Sequence, residues 1–133
     1  MMDASNRDAK DLLPRGGRFV FNPGVPLPAH VPKAPGLYAI FDRDDGPLMY
    51  VGIAKTNLRN RLKQHNQGGR MGSNFVLMLS DMLIFPKLTA EELADIAAGK
   101  INAGWYTIDR IREMAVHYEV MDPAEARSRE AVR

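Results

Sequence analysis

Gly36-Leu37-Tyr38-Ala39-Ile40-Phe41, then Asp42-Arg43-Asp44-Asp45-Gly46-Pro47, then Leu48-Met49-Tyr50-Val51-Gly52, reads as a β-hairpin. The outer runs are rich in aromatic and branched residues, which fit a pleated, half-buried surface. The Asp-Gly-Pro between them is turn chemistry, here in a slightly long loop. Such a hairpin puts Tyr38 and Tyr50 on neighbouring strands, where two hydroxyls can converge.

Downstream, Asn57 can cap a helix that runs to about His65 or Asn66. Leu58 and Leu62 recur at i, i+4 and form its apolar stripe. Arg61 and His65 are one turn apart and share a face bordering that stripe. Gly68-Gly69 ends the helix, and Phe75 to Phe85 is apolar and ambiguous between strand and helix. Thr89 and Glu92 form a capping box for a helix over about 90–98, stopped by Gly99. Another helix is predicted over 104–114. Met114 to Met121 alternates in part and reads as a third strand. Asp122 as N-cap, Pro123 at the first helical position and Glu125 as the box glutamate open a last helix. The order predicts an α+β domain: a small three-stranded antiparallel sheet flanked by helices.

Upstream the chain changes character. Residues 1–13 are polar, and residues 14–35 hold six of the nine prolines. That segment cannot be helical and is read as an extended arm laid over the domain. Within it, Arg18-Phe19-Val20-Phe21 is a short strand or an apolar anchor. The division is thus a tail and arm over 1–35 and a domain over 36–133.

At 133 residues the chain suits one domain. It has no cysteine, which excludes disulfides, cysteine zinc sites and thiol nucleophiles and fits a reducing cytoplasm. No apolar run is long enough to span a membrane, and the acidic N-terminal stretch lacks the apolar core of a signal peptide. Net charge is only +2, but it is unevenly placed. No acidic residue lies between Asp45 and Asp81, while Lys55, Arg59, Arg61, Lys63 and Arg70 do. Residues 81–133 carry seven basic against ten acidic side chains. A local basic stretch on a near-neutral chain points to a polyanion.

Gly36-Leu37-Tyr38 and Tyr50-Val51-Gly52, followed by Arg61 and His65 on the next helix, resemble the GIY-YIG nuclease family, named for those two triplets. The resemblance covers about residues 34–133 and implies a DNA endonuclease using Mg²⁺ or Mn²⁺. Tyr38 or Tyr50 would activate water, His65 would assist proton transfer or orient a tyrosine, and Arg61 would hold the scissile phosphate. The family takes its metal-binding glutamate from a later helix, and Glu130 fits that place better than Glu125. The chemistry is coherent. Arginine is a permanent forked donor to phosphate oxygens, and a metal relieves charge and aids the leaving group. A tyrosine needs nearby cations to lower its pKa from about 10 before it can act as a base. Gly52 would leave space for a phosphate to approach, and Lys55, Arg59 and Lys63 would contact the DNA backbone. The triplets carry Leu37 and Val51 where the name has isoleucine. The sequence ends three residues after Glu130, so the asparagine that many members place beyond this helix has no counterpart. The alternative is therefore a catalytically inactive nucleic-acid-binding module of the same fold. The sequence leaves the biological role, the specificity and the oligomeric state open.

Overall fold

The computed structural model describes residue 13 and residues 16–43, 46–67, 73–101 and 104–132, the side chains of Trp105 and of residues 130–132 excepted. Strands β1 (Gly17–Val20), β2 (Gly36–Phe41), β3 (Leu48–Ala54) and β4 (Ala115–Val120) form one sheet in the order β1-β4-β2-β3. All neighbours are antiparallel. The helices are α1 (Leu58–Gln67), α2 (Asn74–Met78), α3 (Ala90–Ala97), α4 (Gly104–Ile111) and α5 (Pro123–Val132).

The α+β class matches the expectation, but the sheet has four strands rather than three. The extra strand comes from the arm. Phe19 pairs with Val116 and is buried, so the β formers amid the prolines complete the sheet at its β4 edge. The arm then crosses α1. Carbonyls of Ala34 and Pro32 accept the first-turn N–H groups of Leu58 and Arg59 at 2.8 and 3.0 Å, and Asn57 Oδ1 accepts from Asn60 N at 3.0 Å. The amide donors that a helix N-terminus leaves unpaired are thereby occupied by protein.

Strand alternation gives the sheet two faces. Phe19, Tyr38, Ile40, Val116 and Tyr118 face α1 and α2, where Leu58, Leu62, Phe75, Val76 and Leu79 close the larger core. Leu37, Ala39, Phe41 and Ala115 face the other way, against Ala126 of α5, Met121 and Leu13. The ambiguous apolar run is helical throughout: α2 passes into π-helical turns over Leu79–Ile84 and a 3₁₀ turn over Phe85–Lys87. The predicted capping box at Thr89 and Glu92 is complete. Asp122 caps α5 through Glu125 N, but the Glu125 carboxylate turns to Arg129 at 3.3 Å. Met114 is core, whereas Met82 is 69% exposed. Among the described residues no helix is long and apolar enough to cross a membrane.

Candidate active site

Tyr38 extends from the middle of β2 into the larger core and is 0% exposed. Its partner across the hairpin is Gly52, and its partner on β4 is Tyr118. A Cβ placed on Gly52 would sit 2.3 Å from both Cζ and Oη of Tyr38. The absent side chain therefore makes room for the Tyr38 phenol. This corrects the expectation that Gly52 leaves space for a phosphate: Gly52 is buried, and that space is filled from within.

The Tyr38 hydroxyl lies 2.7 Å from His65 Nε2. His65 Nδ1 lies 2.7 Å from Ser73 Oγ, which also accepts the Val76 N–H at 3.1 Å as N-cap of α2. His65 is 0% exposed. Burial first, and the positive charge of Arg61 second, push its pKa down to about 3, so the imidazole is neutral. Half-buried Tyr50 packs over this chain, its ring centroid 6.3 Å from Tyr38, 6.0 Å from His65 and 5.5 Å from Phe75. The hairpin and α1 thus gather Tyr38, Tyr50 and His65 into one cluster, with Tyr50 as its exposed member.

Arg61 is half-buried, donates to Gln64 Oε1 at 3.3 Å, and reaches the cluster through its charge on His65. It lines a concavity of about 280 Å³ with Lys55, Thr56, Asn57 and Asn60. Two further hollows continue along α1. One is bounded by Lys33, Asn57, Asn60 and Lys63, the other by Lys63, Asn66 and the arm turn at Gly24–Leu27. Among the described residues, no acidic one lines any of the three. Arg59 borders two of them, but its guanidinium donates to the carbonyls of Leu27, Pro28 and Val31 at 3.1, 2.8 and 3.1 Å. It clamps the arm, contrary to the expectation of a backbone-phosphate contact.

Glu130 is helical, but its side chain lies outside the described residues. Ala126, one turn before it, packs on the Leu37–Ala39–Phe41 face, so α5 covers the side of the sheet opposite Tyr38 and His65. Among the described residues no group of three or more His, Asp or Glu side chains gathers where it could hold a metal ion. The described donors do not by themselves make a cation site. A larger hollow, about 580 Å³, opens where β1 and β4 meet α5, and none of the predicted site residues whose side chains are described lines it.

Ser73, Phe75 and the arm-holding Asn66 were not foreseen. Ser73 carried a signal: a serine two residues ahead of an apolar run is a good N-cap.

The family model of the GIY-YIG catalytic domain matches residues 34–84. No curated protein and no solved structure matches the chain. The matched segment holds both tyrosines, Arg61, His65 and Ser73. Through the hairpin, α1 and the helix that follows, this segment is similar to a GIY-YIG nuclease catalytic domain.

Proposed function

We propose that this chain is an endonuclease that hydrolyses DNA phosphodiester bonds with one Mg²⁺ or Mn²⁺. The observation that carries the reading is the Tyr38–His65–Ser73 chain with Tyr50 above it, inside the segment that matches the family. Tyr50 is the ring a water or phosphate reaches, and Tyr38 acts from beneath it. Arg61, always charged and forked, takes the scissile phosphate. Lys55 and Lys63, exposed along the hollows beside α1, take flanking phosphates and position the duplex without reading its sequence. Glu130 is the carboxylate assigned to the cation, which would relieve charge on the phosphorane and help the leaving oxygen.

A second reading has its own support. Because α5 covers the opposite face of the sheet, the same fold without cleavage would be a nucleic-acid-binding module. Plasmid nicking with Mg²⁺ separates the two. The nuclease reading expects nicking by the wild type and a loss of at least about 100-fold in Glu130→Ala and Arg61→Ala, as for groups acting on the transition state. Equal nicking by all three proteins rejects the site. Salt-dependent DNA binding with no nicking by the wild type selects the binding module.

A further inference from the structure

The hydroxyl of Ser73 decides which way the hydrogen bond between His65 and Tyr38 runs. Ser73 is 1% exposed, so its partners are protein. Oγ has one proton to give and lone pairs to accept with. The Val76 N–H occupies one acceptor site at 3.1 Å, and the remaining hydrogen-bonding neighbour among the described residues is His65 Nδ1 at 2.7 Å. Were Nδ1 protonated, Oγ would accept twice and its own O–H would be buried without an acceptor, which proteins avoid. The satisfied arrangement has Ser73 donating to Nδ1. A neutral imidazole then carries its proton on Nε2 and donates it to Tyr38 Oη at 2.7 Å.

We infer that Ser73 is a positioning residue that locks His65 in the Nε2–H tautomer, making His65 a hydrogen-bond donor to Tyr38 rather than the acceptor of its proton. A donor aimed at the phenol oxygen favours the phenolate over the phenol. It also turns the Tyr38 O–H away from His65, so a proton leaving Tyr38 does not go to His65. The bearing on catalysis rests on the proposed nuclease reading; the tautomer does not.

The direct test is long-range ¹H–¹⁵N correlation of the His65 ring in the ¹⁵N-labelled full chain at pH 7. The expected pattern is a pyrrole-type Nε2 and a pyridine-type Nδ1. Ser73→Gly removes the hydroxyl while keeping a residue tolerated at an N-cap, and it should shift Nδ1 and mix the tautomers. Ser73→Thr restores the donor and should restore the wild-type pattern. A protonated Nδ1 in the wild type, or ring shifts unchanged in Ser73→Gly, overturns the assignment. Where the wild type nicks DNA, Ser73→Gly should lower kcat about tenfold with KM unchanged, and Ser73→Thr should recover it. An unchanged kcat overturns the catalytic role. A wild type that never nicks sinks the nuclease reading alone, because the tautomer is read without turnover.

Discussion

The two faces of the sheet are built from alternate residues of the same strands, yet they differ in kind. On one, Tyr38, Tyr50, His65 and Phe75 pack rings 5.3 to 6.3 Å apart around a buried hydrogen-bond chain. On the other, Leu37, Ala39, Ala115 and Ala126 make an aliphatic contact that lets α5 lie close, with His117 set against Phe41 at 4.8 Å. Aliphatic packing is non-directional and tolerates repacking. The aromatic face is tied by hydrogen bonds whose partners are left unsatisfied when one is removed. The proposed roles of Tyr38, Tyr50 and His65 thus fall on the face where position is enforced. A group carried on α5 must act from a helix seated behind the sheet.

Deleting the ring at the centre of the first face should have the largest effect. Tyr38→Ala is expected to lower unfolding free energy by about 3–5 kcal/mol, as for other buried aromatics. Tyr38→Phe keeps the ring and strands a buried imidazole nitrogen, for about 1–3 kcal/mol. Urea unfolding checks both. A loss near zero in Tyr38→Phe would mean that Oη is not held by His65. Overpacking comes next and separates the faces. Gly52→Ala must displace the fully buried Tyr38 ring, and Ala126→Leu must lift α5; each should cost about 1–3 kcal/mol. Only the first should change the near-ultraviolet tyrosine signal. A tyrosine signal altered equally by Ala126→Leu would show that the faces are coupled.

The hairpin, α1 and the capping box at Thr89 were legible because their signals are local: β formers around Asp-Gly, an asparagine before an i, i+4 leucine pair, a threonine three residues from a glutamate. The fourth strand was legible only as one alternative, since Arg18–Phe21 read as a short strand or an apolar anchor, and its place in the sheet was not. Gly17 pairs with Tyr118, and nothing near Gly17 encodes a partner so far along the chain. Arg59 and Arg61 read alike as charges, but two residues on a helix are about 200° apart, so one meets the arm and the other the hollow beside Lys55. The tyrosines and His65 were legible through their spacing. Gly52 was legible as a glycine but not in its role, since the ring that fills its space comes from the other strand of the hairpin.

Acid should weaken the first face through His65. In the unfolded chain His65 titrates near its ordinary 6.5, and in the folded chain near 3. Between those values the unfolded state holds a proton that the native state does not. Stability therefore falls as pH drops through this window and is fully present above it, with a slope of at most about 1.4 kcal/mol per pH unit. Urea midpoints at pH 7, 6 and 5 should converge between wild type and His65→Gln as pH falls. Parallel lines would mean that His65 is protonated or solvated in the fold.

The smallest effect on stability comes from exposed cations, and there the faces are separated by ligand rather than by unfolding. Lys63 lies on α1, among the hollows beside the aromatic face, and Arg127 is exposed on α5 behind the sheet. Replacing either with alanine should change stability by less than about 0.5 kcal/mol. If DNA runs along α1, Lys63→Ala should reduce the slope of log K against log salt by about 0.9, the value for one lost phosphate contact, and Arg127→Ala should leave it unchanged. Equal reductions would mean that charge attracts DNA without placing it. A reduction in Arg127→Ala alone would put the duplex on the α5 side, where Glu130 is carried and the tyrosines are not.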